Sequence, residues 1–328
     1  MDRTTPTLQT LPVELVRNIL SYIQPSDAVR LRLLSTSINC VISSKYFARL
    51  NLLRFPRPPV SDADFTKEDD DFFHLPSNYQ IVYIALFLQN AHHLDWKSRR
   101  RLDTAAFPKA LGRLPHLMSL NLSDNLIEGP IPVELMDVDT LKLLILSKNL
   151  LSATIPVQIF HLVNLKILDL SYNRLEGTIP REIGHCTELR VLALQHNKLT
   201  GSIPRDLNNL TQLRILSLFR NDLSGPVPDV GALLFLEQML LFKNRLSGPI
   251  PPSIRRLPCI QLCDLRYNED LTCMADPDFD LFAEFDGSNG DEHGGTNASS
   301  ASSGFGWLDS LLGDHGSGAS RGSVPELR

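Results

Sequence analysis

Between residues 117 and 268 the apolar positions fall into one nine-residue phrase that returns seven times. Leu117, Leu120 and Leu122 lead to Asn125; Leu141, Leu144 and Leu146 lead to Asn149; Leu165, Leu168 and Leu170 lead to Asn173. The series continues through Leu189, Leu192, Leu194 and Asn197, then Leu213, Leu216, Leu218 and Asn221. Leu236, Met239, Leu241 and Asn244 follow, and Ile260, Cys263, Leu265 and Asn268 close it. The asparagines are 24, 24, 24, 24, 23 and 24 residues apart. Positions four and six of the phrase share one face of a short strand. A single strand cannot bury that face, so successive copies must stack on a common core. The pattern predicts an α/β repeat solenoid. The asparagine at position nine stands where the chain turns inward, so its amide is expected to satisfy backbone groups of neighbouring coils.

A second phrase, Gly-x-Ile/Val-Pro, starts at Gly129, Gly177, Gly201, Gly225 and Gly248; Ala153 takes the glycine's place in one copy. Leu94 and Trp96, followed by Phe107 and Pro108, read as a degenerate first coil, with Arg99 in the asparagine position. Together these phrases resemble the plant-type leucine-rich repeat. That resemblance implies a right-handed horseshoe with a parallel β-sheet on its concave face. Positions three, five and seven then face the concave side, and position eight lies at its rim. They are mild in early coils (Ser119, Asn121, Ser123; Ile167, Asp169, Ser171) and change later. Phe219, Arg220, Leu240, Phe242, Lys243, Arg266 and Tyr267 are the residue types that dominate binding hot spots, and they mark the expected target surface. Lateral packing between coils is an equal reading of the same residues.

Before the repeats, Leu15, Val16, Ile19, Leu20 and Ile23 follow helical spacing. Pro25, Ser26 and Asp27 break the chain and cap a second helix through Val29, Leu31, Leu33 and Leu34. Ile38, Val41, Ile42 and Phe47 mark a third. So small a module has a marginal core and often needs a partner on its apolar side. The segment resembles an F-box, which implies docking on the Skp-type adaptor of a cullin–RING ubiquitin ligase through Leu11, Pro12, Leu15, Ile19, Leu20, Ile23, Pro25 and Leu31. It departs from that family at Ser37, Ile38 and Asn39, where an aromatic residue is missing. A plain helical cap for the solenoid is the alternative.

The expected organisation is a helical module over 1–52, an acidic linker over 53–76, a helix with a capping repeat over 77–101, repeats over 102–273 and a disordered tail over 274–328. Charge refines this. Residues 102–273 carry 17 Lys/Arg and 17 Asp/Glu, whereas 274–328 carry 2 and 10. A neutral array offers no field for a phosphate backbone, so nucleic acid is not expected as a partner. Residues 305–312 form an apolar island in the tail, either a docking motif or residual hydrophobicity. No apolar run of secretory type opens the chain, and none approaches the roughly 20 residues that span a bilayer. No membrane partner is expected, and the location expected is cytoplasm or nucleus. Cys259, Cys263 and Cys273 lie near one another, but Cys263 sits at a core position, so no metal is expected. No phosphate loop or nucleophile elbow appears, and neither an enzyme nor a cofactor is expected. The implied function is a ligase substrate receptor; the alternative is an adaptor scaffold without a ligase.

Overall fold

The computed structural model describes residues 13–30, 36–54, 72–73, 75–98 and 106–272. The chain divides into units Met1–Phe282 and Ala283–Arg328, and every described residue belongs to the first. The tail readings, including the island at 305–312, lie outside the described residues.

Eight strands form one parallel sheet in strict chain order: His93–Asp95, Ser119–Asn121, Leu143–Ile145, Ile167–Asp169, Val191–Ala193, Ile215–Ser217, Gln238–Leu240 and Leu262–Asp264. We number the coils one to eight by these strands. Register aligns position four throughout, from Leu94 and Leu120 to Met239 and Cys263. The degenerate coil is a full member: Asn125 Nδ2 donates to the carbonyl of Trp96, which therefore stands at position six of coil one.

The asparagines form a ladder. Asn173 Nδ2 donates to the carbonyls of Leu170 in its own coil and Leu146 in the preceding one, both at 3.0 Å. Its Oδ1 accepts from the Leu151 N–H at 3.0 Å. Asn149, Asn197, Asn221, Asn244 and Asn268 repeat both donations. Each side chain thus ties two coils and leaves none of its own atoms unpaired, the condition for burying an amide.

Past the asparagine a second parallel ladder runs through Glu176–Thr178, Lys198–Gly201, Asp222–Gly225, Arg245–Pro249 and Asp270–Thr272. Its glycines sit at positive φ, between 73° and 81°, where a side chain is strained. Ala153 adopts φ 66° without that freedom. The backbone bonds nevertheless continue through this coil: Arg174 N–H donates to Leu151 and Glu176 N–H to Ala153, at 2.8 and 2.9 Å. Short 3-10 turns such as Arg181–His185 then cross the outer side. The 23-residue copy, one residue short, has no such turn among the described residues, and an open cavity of about 660 Å³ bordered by Pro204, Arg205, Pro228 and Asp229 lies beside it.

Upstream, α1 (Val13–Leu20), α2 (Pro25–Arg30), α3 (Thr36–Ile42) and α4 (Lys45–Arg54) form the helical module. The single third helix expected is two, α3 and α4. The next helix, α5 (Ser77–Tyr83), widens into a π turn over Ile84–Leu88. The linker expected over 53–76 needs correction at both ends. Helix α4 runs to Arg54, and Phe72, Phe73 and Leu75 are buried. Phe72 and Phe73 pack edge-on to Trp96 with ring centroids 5.6 and 5.4 Å away. Linker composition hid them because two aromatics follow directly on Asp69, Asp70 and Asp71.

Two substitutions test this account. Asn173→Ala leaves the Leu151 N–H without its acceptor and takes one of two amide donors from each of the Leu146 and Leu170 carbonyls, and should lower stability by about 1–3 kcal/mol in urea unfolding. Ala153→Gly relieves left-handed strain of about 1–2 kcal/mol against a smaller glycine entropy cost, so it should raise stability by roughly 0.5 kcal/mol. A destabilised Ala153→Gly protein would show that the side chain is needed for packing.

Candidate functional site

Position eight shapes the rim of the sheet. Ser98, Asp124, Lys148, Tyr172, His196, Arg220, Lys243 and Tyr267 all adopt positive φ between 53° and 59°. That conformation costs a non-glycine residue strain. It also aims the position-eight N–H at the next coil: Tyr172 donates to Gln195, His196 to Phe219 and Arg220 to Phe242. The sheet ladder thereby continues past the strand, and the asparagine that follows swings inward. Side chains at positions seven and eight are consequently held beside their counterparts one coil away.

Along coils four to seven these are rings. Tyr172 stacks on His196 with centroids 4.2 Å apart; His196 meets Phe219 edge-on at 5.4 Å; Phe219 stacks on Phe242 at 4.3 Å with the rings nearly parallel. The Lys243 ammonium lies 5.3 Å above the Tyr267 ring, which is 67% exposed. Arg220 and Lys243 are exposed and Leu240 is half-buried. Of the seven residues expected on the target surface, Phe219 and Phe242 belong to this column, and Lys243 extends it to Tyr267 in coil eight. Arg266 does not offer a free guanidinium, because Asp264 holds it with bonds of 2.9 and 2.6 Å. Tyr172 and His196 were missed at the sequence level. They occupy position eight, which was read only in the later coils.

The floor of the strip is mixed. Asp169 Oδ1 accepts from the Ser171 hydroxyl and N–H at 2.6 and 3.0 Å, and burial pushes its carboxyl up against those bonds. Val191 and Ala193 are buried beside it, as are Gln195 and Ser217.

At the other end of the molecule, α4 packs on α5. Phe47 meets Tyr79 edge-on at 6.2 Å. Asn51 Nδ2 donates to the carbonyls of Ser21 and Ile23, and its Oδ1 accepts from the buried Tyr79 hydroxyl at 3.5 Å. Burial pushes that phenol up. Val13, Tyr22, Tyr46 and Leu53 remain exposed. The Arg54 guanidinium covers the Tyr22 ring at 3.7 Å, and Arg17 lies 5.6 Å from that of Tyr46.

Comparison with known proteins accounts for both ends. Residues 8–50 match the model of the F-box domain. Residues 115–175, 139–199 and 163–223 match that of the leucine rich repeat. The chain carries an F-box followed by leucine-rich repeats. Among solved structures, the array is similar to the plant peptide hormone receptor RGFR1 in complex with RGF2, at 28% identity and TM-score 0.53 over 61% of this chain and 30% of that one. It is also similar to the Arabidopsis receptor kinase HAESA ectodomain in complex with an extended IDA peptide hormone, at 26% identity and TM-score 0.53 over 76% of this chain and 41% of that one. A TDR receptor, 24% identical with TM-score 0.51 over 61% of this chain and 37% of that one, shares the fold. The chain spans less than half the length of these receptors. No curated protein sequence matches.

Within the F-box, the adaptor face needs correction. Leu20 is 2% exposed and packs in the core with Val16, and Ile23 lies against that core. Leu20 is therefore covered within the chain, while Ile23 keeps part of its surface; helical spacing marked an apolar face without saying which neighbour covers it. Pro25 is half-buried. Leu11, Pro12 and Leu31 lie outside the described residues, as do the side chains of Leu15 and Ile19. The exposed Val13 and Tyr22 are what α1 and its following turn present instead. In the repeats, Cys263 stands at position four, where burial and then Asp264 push its thiol up to about 12. Among the described residues no group of three or more His, Cys, Asp or Glu is placed to hold a metal. No described helix is long and apolar enough to cross a membrane.

His196 provides a probe of the strip. Burial first, then Arg220 and Lys243, bring its pKa down to about 4 from 6.5. A depressed histidine favours the unfolded chain once protons bind. Its stabilising contribution is therefore intact above pH ~6.5 and is lost as the pH falls toward 4. In an NMR titration the His196 ring should still be neutral at pH 5, and Arg220→Gln should move its midpoint upward. A midpoint near 6.5 would mean that the ring is not held in the stack.

Proposed function

We propose that this chain is the target-recognition subunit of an SCF-type cullin–RING ubiquitin ligase, acting in the cytoplasm or nucleus. The F-box binds a Skp-type adaptor and the leucine-rich repeats hold a protein target. The chain needs no catalytic group of its own for this role. It brings target and transfer machinery into one assembly and so raises their effective concentration.

The observation that carries this reading is the shared core of the two modules. A domain tethered by a loose linker samples many distances from its neighbour, and effective concentration falls with that spread. Here Phe47 and Asn51 of the F-box pack on Tyr79, and Phe72 and Phe73 pack on Trp96 of coil one. A single apolar cluster extends from Val16 to Leu265. A target on the strip is consequently held at a fixed offset from the F-box.

The expected adaptor contacts are the exposed Val13 and Tyr22 together with the flanking residues 11–12. Recombinant full-length chain should co-elute with a Skp-type adaptor in size-exclusion chromatography. The double variant Val13→Asp/Tyr22→Asp should lose at least tenfold in affinity at unchanged thermal stability, in keeping with truncation of a hot spot. Failure of the unmodified chain to co-elute at micromolar concentration would remove the ligase reading.

A further inference from the structure

We propose that residues 276–282 of this chain, just past the last coil, dock on the concave face of coils three to six and cover it. The docking does not depend on the ligase reading. It makes the segment a competitor of any target that uses the same face.

A sheet with one face on a core ordinarily leaves its other side chains open to water. The array keeps that habit only toward its ends. Ser119 and Asn121 of coil two are half-buried, and so are Gln238 and Leu240 of coil seven. Between them, Ile167–Asp169, Val191–Ala193 and Ile215–Ser217 are buried at every position. Val191 is 0% exposed and Ala193 2%, and Ile145 of coil three is buried as well. These side chains stand at positions three and five, which point away from the leucine core. The described elements packed on the three strands are their neighbours in the same sheet. Such neighbours flank a side chain without covering its tip. Coils two and seven also have a neighbour on each side, yet even the small Ser119 stays half-exposed there. Strands buried on both faces belong to sheets with a second layer, and coils three to six therefore require one.

The sequence that follows the array supplies a fitting layer. Asp276, Asp278 and Asp280 alternate with Pro277, Phe279 and Leu281, and Phe282 ends the run. In an extended chain that period puts the carboxylates on one side and the apolar side chains on the other. The apolar side matches Ile145, Ile167, Val191 and Ile215. The acids suit Arg220 and Lys243, which are exposed at the rim. Reach is sufficient. The chain leaves coil eight at Thr272, close behind Tyr267 of the rim. From coil eight to coil four is about 19 Å at the usual strand spacing, and an extended chain over 273–282 spans about 33 Å. The polar start of the segment then crosses coils eight and seven, where the face is only half-buried. Phe279, Leu281 and Phe282 reach the buried coils. The compact unit that holds the array likewise runs on to Phe282.

The test places photoreactive benzoylphenylalanine in the full-length chain at one position at a time: Phe279, Phe65 of the linker or Trp307 of the tail. After irradiation and digestion, the probe at 279 should be joined within the same chain to residues 143–219. Its attachment elsewhere or to nothing overturns the proposal, as does attachment of the probe at 65 or 307 to that face in its place. A labelled peptide of residues 274–284 reads the same face from outside by fluorescence anisotropy. It should bind full-length Phe279→Ser/Leu281→Ser at least tenfold more tightly than the unmodified chain, whose face is already occupied at high effective concentration. Adding Arg220→Gln/Lys243→Gln should weaken the peptide several-fold and flatten its salt dependence. Equal affinity for the two chains, or binding to neither, with both folded by circular dichroism, also overturns the proposal.

Discussion

When a strand ends and its chain turns inward, the carbonyl at position six is left behind in a dry environment. An unsatisfied carbonyl there costs about 1–3 kcal/mol, and the array has one in every coil. The asparagine answers two of them at once, its own and the one below, while its oxygen takes an N–H from the coil below. Because each amide serves two coils, no coil is complete alone. The left-handed residue at position eight is a consequence of the same demand. The chain accepts that strain in each coil since no other path carries the asparagine inward while passing its N–H to the next coil.

The ladder also fixes the geometry of the outer face. With register held to the residue, a side chain at position seven or eight meets its counterpart in the next coil at stacking distance. Aromatic residues at consecutive coils therefore form a column rather than separate exposed rings. The second ladder shows how firmly this path is imposed. Where alanine replaces glycine the chain still turns at positive φ and its bonds to the next coil are kept, and at Gly177 an added Cβ would lie 2.9 Å from Thr154 Cγ2.

The solenoid, its eight coils and the role of the asparagines were legible because each rests on a period. Stacking demands repetition, and repetition is visible in letters. What sits outside the period was not legible. Helical spacing in α1 identified Leu20 as apolar-facing, but only packing shows that Val16 and its neighbours cover it while Val13 and Tyr22 stay open. Phe72 and Phe73 belong to no repeat and follow three aspartates, yet they seat Trp96 of coil one. In the strip, the phenylalanines at position seven were visible as a change of character. Tyr172 and His196 were not, because a tyrosine and a histidine separated by 24 residues carry no pattern until the coils are superposed.

A binding surface on a solenoid is constrained differently from the core beneath it. Positions four and six must be apolar in every coil, so they carry no information about a ligand. Positions three, five, seven and eight are free to differ, and departures from the fold's own habits are therefore informative. Positions five and seven bond to each other in coils one, two, four and eight, whereas Ile145, Ala193, Ser217 and Leu240 hold position five in the coils between without such a bond among the described residues. Stability alone favours the opposite choice: a serine above an aspartate, as in coil four, leaves nothing unsatisfied. The unpaired Gln195 amide coincides with the neutral His196 and the exposed Arg220, within the four coils that carry the ring column. The ring column, by contrast, runs unbroken through four coils, because fixed register alone sets its spacing.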